Sequence, residues 1–69
     1  MNENMDYPKA IKELRAALLL SQAEFAKKMG VSFATVNRWE NGRFAPSYKA
    51  KRKLRALLKK HGIVLEEKK

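Results

Sequence analysis

Ser21-Gln-Ala-Glu-Phe-Ala-Lys-Lys-Met-Gly-Val-Ser-Phe-Ala-Thr-Val-Asn-Arg-Trp-Glu-Asn-Gly42 decides the fold. The stretch reads as two short helices joined by a tight turn. Ser21 stands where an N-cap is needed, and Glu24, three residues on, completes a capping box. Leu20 and Phe25 fall on the two positions of a hydrophobic staple around that cap. Gly30 can adopt the left-handed conformation that ends a helix, and Lys27 and Lys28 suit the negative end of the dipole. Ser32 is the next N-cap, with Val31 and Val36 as its staple, and Gly42 stops the second helix. Counted from Gln22, Ala26 is fifth, Gly30 ninth and Val36 fifteenth. A small residue at Ala26 admits a close helix crossing, Gly30 makes the turn, and Val36 fills the angle between the helices.

The rest of the chain supplies two more helices. Asp6 caps the first, Pro8 sits in its first turn, and Ile11, Leu14 and Leu18 mark its inner face, with Arg15 beside them. The helix closes at Leu18-Leu19-Leu20. In the central pair, Phe25, Ala26, Met29, Val36 and Trp39 face inward, and Phe33, Ala34, Asn37, Arg38 and Asn41 share the outer face of the second helix. After a loop from Arg43 to Pro46, Ser47 caps a fourth helix that runs to about Lys60. Ala50, Leu54, Leu57, Leu58 and His61 form its apolar stripe, and Lys and Arg dominate its other faces. Gly62 ends it with Ile63 folded back, and Val64 and Leu65 add apolar contacts. The expected architecture is all-α: a small four-helix, or five-helix, bundle. Residues 1–7 are expected to form a flexible arm, 8–65 the folded domain, and 66–69 a charged tail.

Glu40 lies at the negative end of its helix and therefore calls for a cation. Thr35 is expected to pack or bond to backbone, and Trp39 to lie in the core. Phe44 either packs under the loop or stays exposed.

Sixty-nine residues allow one small domain, and the absence of cysteine removes disulfides and thiolate metal sites. No apolar run approaches a membrane span of about 20 residues, and no secretory leader is evident, so an intracellular location is expected. The net charge of +9 is unevenly placed. Residues 1–42 carry six basic and five acidic side chains, whereas residues 43–69 carry ten and two. Such a basic half points to a polyanion, most simply nucleic acid. A membrane-surface role for the basic stretch 47–60 is weaker, because burial in the bundle accounts for its apolar stripe. The single histidine, His61, and the seven acids form no catalytic or metal-ligand cluster, so neither enzyme activity nor a metal, cofactor or small-molecule ligand is expected.

The quoted stretch, together with Pro46-Ser47, resembles the helix-turn-helix of phage repressors and Cro, also called the xenobiotic-response-element family of bacterial regulators. The resemblance spans about Ile11 to Leu58, and its most specific pieces are Leu20 to Ala26 and Trp39 to Gly42. It implies a sequence-specific, duplex-DNA-binding transcriptional regulator, cytoplasmic and nucleoid-associated, that reads the major groove with the helix at about 33–40. It further implies base contacts from Phe33, Ala34, Asn37 and Arg38, phosphate contacts from Gln22, Asn41 and Arg43, and an Arg15–Glu40 salt bridge. Two alternatives stay open at this point: Phe33 belongs to the core, and Arg38 clamps phosphate. Lys49, Lys51, Arg52 and Lys53 are further electrostatic contacts or simply a solvated face. Relatives usually have glycine where this chain has Leu19, and usually carry a fifth helix through which many dimerise. Few residues follow Gly62, so tight binding is expected to need a homodimer formed on DNA or a partner protein. The alternative functions are an antitoxin-like regulator that binds DNA and protein, and a protein-interaction module on the same fold.

Overall fold

The computed structural model describes residues 4–68. It contains four helices, α1 (Tyr7–Leu18), α2 (Gln22–Met29), α3 (Phe33–Glu40) and α4 (Tyr48–Lys60). All four begin the same way. The side chains of Asp6, Ser21, Ser32 and Ser47 accept from the backbone N–H groups of Lys9, Glu24, Thr35 and Ala50, at 3.1–3.3 Å. Each bond satisfies an amide that the helix itself leaves without a partner. At α2 the Glu24 carboxylate also accepts from Ser21 N–H at 2.9 Å, closing the capping box.

All four also end alike. The N–H groups of Leu20, Val31, Arg43 and Ile63 reach back to the carbonyls of Arg15, Ala26, Arg38 and Leu58, at 2.9–3.0 Å. This is the Schellman arrangement, and it needs a left-handed residue just before the returning one. Gly30, Gly42 and Gly62 supply it with φ of 74°, 72° and 68°. At α1 the residue is Leu19, at φ 57°, the one non-glycine with positive φ among the described residues. Its side chain is 90% exposed, so no burial offsets the strain. The left-handed turn that the resemblance gives to glycine is thus made here by leucine.

The helices enclose one core. Ile11, Leu14, Phe25, Val36 and Leu54 are fully buried, and Tyr7, Ala10, Ala26, Met29, Trp39, Ala50 and Leu58 complete it. α3 packs against both α2 and α1, and α4 packs against α1. Ala26 is buried at the α2–α3 crossing, where its single methyl lets the helices approach.

The structure differs from the sequence reading at both ends. Tyr7 is buried as the first residue of α1, on the stripe of Ile11 and Leu14, rather than in a flexible arm. Asn4 to Asp6 are not free either. Met5 and Glu67 form an antiparallel bridge; Asp6 N–H donates to Glu66 C=O at 2.7 Å, and Lys68 N–H to Asn4 C=O at 2.8 Å. Lys9 Nζ and Glu66 Oε1 add an exposed ion pair at 2.6 Å. The expectations for Met1 to Glu3 and for Lys69 lie outside the described residues. His61 is exposed and leaves the apolar stripe, because it is the capping residue where α4 has already turned away. Ile63 folds back onto the core instead, with Leu65, while Val64 points out at 75% exposure.

Candidate nucleic-acid interface

The site is built outward from a buried ion pair. Glu40 ends α3 with its side chain only 3% exposed, and Arg15 of α1 meets it in fork geometry. Arg15 Nε donates to Oε2 at 2.6 Å and Nη2 to Oε1 at 3.0 Å, while Nη1 donates to Leu20 C=O at 3.1 Å. The pair therefore ties α1 to α3 and also holds the α1–α2 turn. Burial pushes the Glu40 carboxyl pKa up. The bonds from Arg15 and Gln22 and the Arg15 charge outweigh it, so Glu40 titrates below the ordinary 4.5. The Arg15 guanidinium is held charged mainly by its bonds to Glu40.

From Glu40 a chain of side-chain amides runs to the surface. A carboxylate only accepts, so Gln22 must turn its nitrogen toward it; Nε2 donates to Glu40 Oε1 at 3.2 Å. That leaves Gln22 Oε1 to accept from Asn37 Nδ2 at 3.3 Å. Asn37 Oδ1 then accepts from Asn41 Nδ2 at 3.0 Å. Gln22, Asn37 and Asn41 are thus brought together, on α2, α3 and the turn after it. Each amide nitrogen carries two N–H groups and uses one of them inside this chain, so the other can donate to an incoming group.

Beside this chain stand Arg38 and Arg43, both exposed. The Arg38 guanidinium carbon lies 5.9 Å from the centre of the Phe44 ring, a cation–π arrangement that restrains a long side chain. Asn37, Arg38, Asn41, Arg43 and Phe44 line a shallow, open depression. On the same helix Phe33 is 54% exposed and Ala34 is exposed, which removes the core alternative for Phe33. Thr35 Oγ1 lies 2.8 Å from Ser32 Oγ, so it serves the cap. Trp39 is buried in the core and offers no stacking platform.

Model of the helix-turn-helix family match the chain over residues 11–65. The chain belongs to the repressor and Cro helix-turn-helix family. Membership makes it a DNA-binding helix-turn-helix regulator. No curated protein and no solved structure matches it. In this helix-turn-helix protein the second helix of the motif is α3, the helix that carries the exposed face just described.

The basic residues of α4 divide. Lys53 Nζ donates to Met29 C=O at 3.3 Å, at the negative end of α2. Lys51 lies over the rings of Tyr7 and Tyr48, 5.5 and 5.6 Å from their centres. Lys49 and Arg52 are exposed. Two features of the site went unread in the sequence. Phe44 carries a restraint on Arg38, and Asn37 links Gln22 to Asn41. Their spacing held a signal, since Asn37 and Asn41 are one helical turn apart. Among the described residues no helix is long and apolar enough to cross a membrane, and no acid–histidine group could hold a metal.

Proposed function

We propose that this chain is a sequence-specific transcriptional regulator, cytoplasmic and nucleoid-associated, that lays α3 in the major groove of duplex DNA. The observation that carries the reading is the arrangement of donors. Gln22, Asn41 and Arg43 surround the outer face of α3, and the amides among them are oriented from within by Glu40. These three take backbone phosphates, which position the protein without reading sequence. Phe33, Ala34 and Arg38 face the base edges, and Arg38 can grip guanine N7 and O6. Asn37 acts chiefly by holding its neighbours, with one N–H left for the groove. Lys49 and Arg52 contribute long-range attraction. One module of this size makes few phosphate contacts, so binding is weak and salt-dependent, and tight binding needs a homodimer on DNA or a partner protein.

The test is selection from randomised duplex DNA at near-physiological salt, read by sequencing. An enriched motif is expected. Half-sites about 10 base pairs apart in a palindrome indicate a dimer, and a lone half-site a monomer. Binding to random DNA that vanishes as salt rises, with no motif enriched, would overturn the reading. A second reading, an antitoxin-like or other protein-interaction role, is favoured by the exposed rings of Phe33 and Phe44, and that outcome would select it.

A further inference from the structure

The outer face of α3 has an uneven supply of hydrogen-bonding groups. In its first turn the hydroxyls of Ser32 and Thr35 are turned on each other, 2.8 Å apart, and Ser32 Oγ also caps Thr35 N–H at 3.1 Å. Asn37, one turn later, is tied to Gln22 and Asn41. The exposed apolar groups at this end are the phenyl ring of Phe33 and the methyl of Ala34. The long donor of the face, Arg38, stands one turn beyond Ala34, its guanidinium steadied over Phe44.

A base pair presents acceptors, amino donors and, on some pyrimidines, a methyl group in the major groove. Set against Phe33 and Ala34, an amino or carbonyl edge loses water and gains no partner, which is unfavourable. A C5 methyl group loses nothing and gains apolar contact. Basic residues around the face, Arg38 and Arg43 among them, match the charge of a duplex. We infer that Phe33 and Ala34 select pyrimidines bearing a C5 methyl group, with Arg38 gripping a neighbouring guanine. Thymine and 5-methylcytosine share that methyl and differ at position 4, which neither a phenyl ring nor an alanine methyl can read. The site therefore accepts both. The inference rests on α3 entering the major groove as proposed above.

The experiment uses the duplex recovered by selection from the randomised pool. Each thymine in it is replaced in turn by uracil, which removes only the methyl, by cytosine and by 5-methylcytosine, and affinity is measured by fluorescence anisotropy. At the contacted positions uracil is expected to bind about fourfold more weakly than thymine, the factor that corresponds to burying one methyl-sized group. There 5-methylcytosine should exceed cytosine by a similar factor. The exposed substitutions Phe33→Ser and Ala34→Ser should erase the thymine–uracil difference while leaving the salt dependence and melting temperature in place. If every uracil duplex binds as its thymine parent does, the inference falls and duplex recognition stands. If thymine exceeds uracil but 5-methylcytosine only equals cytosine, the group at position 4 is read together with the methyl, and acceptance of both pyrimidines falls. If no motif is selected at all, the reading of duplex recognition itself fails, and this inference with it.

Discussion

Replacing Glu40 by alanine tests the centre of the structure. The substitution removes a side chain that is 3% exposed and accepts from Arg15 twice and from Gln22 once. Breaking a buried pair from one side costs about 3–5 kcal/mol, because the partner charge is left buried and unpaired. Here the partner can partly rehydrate, since the Arg15 side chain is 24% exposed. The loss should therefore fall at or just below the lower end, about 2–3 kcal/mol. For a domain of this size the total is about 3–10 kcal/mol, so the variant approaches the edge of folding. The melting temperature, followed by far-ultraviolet circular dichroism, should drop by roughly 10–20 °C, at about 4–8 °C per kcal/mol. A double variant, Arg15→Met with Glu40→Met, should recover much of that loss, because apolar side chains of similar length leave no buried charge. A drop for Glu40→Ala of less than about 0.5 kcal/mol, the size of an ordinary surface change, would refute the argument. So would a double variant less stable than Glu40→Ala.

Three other outcomes follow from the same structure. Leu19→Gly should stabilise the fold by about 0.5 kcal/mol in urea titration: relief of left-handed strain of about 1–2 kcal/mol exceeds the entropy cost of glycine, and the leucine buries nothing. Glu40 and Glu24, the latter through Ser21 N–H, both titrate below the ordinary 4.5. A lowered folded pKa gives stability that is present above the ordinary value and lost as pH falls through the folded one; acid titration should show that loss, and a flatter curve in Glu40→Gln. In DNA binding, Arg38→Ala should cost about 1–3 kcal/mol at one base position, whereas Arg43→Ala should weaken all duplexes alike and reduce the salt slope by about one; identical behaviour of the two variants in anisotropy titrations sinks the division into reader and clamp.

What could be read from the sequence was local. The caps at Asp6, Ser21, Ser32 and Ser47, the staples and the glycine stops each depend on residues within one turn of each other, and their chemistry allows few alternatives. A carboxylate at the negative end of a helix demands a cation, so the need at Glu40 was legible from the residues, while the choice of Arg15 came from the family resemblance. Other features depend on direction or distance. Asn37 lies on the outer face by periodicity, yet its rotamer turns it along the surface to Gln22 and Asn41, and periodicity carries no information about rotamers. His61 follows Leu54 and Leu58 at helical spacing, but the chain turns after Lys60 and Ile63 takes the place on the core. Leu19 could be named as the turn residue; only the structure shows that it adopts φ 57° instead of shifting the helix end. Pairing of Asn4–Asp6 with Glu66–Lys68 uses polar segments with no pattern to announce it.

That last pairing makes the chain a latch. It closes the longest loop in the described fold, joining Asn4 to Lys68, 64 positions apart. It is held by exposed bonds, so its opening free energy belongs to the low end of the range within a native protein. When it opens, the bonded amides of Asp6 and Lys68 exchange with solvent before those of the helices do. Met5 and Leu65, partly buried on the core, flank the depression that Leu58 and Ile63 also line. These few surface bonds between the two ends thus stand at the rim of an apolar surface.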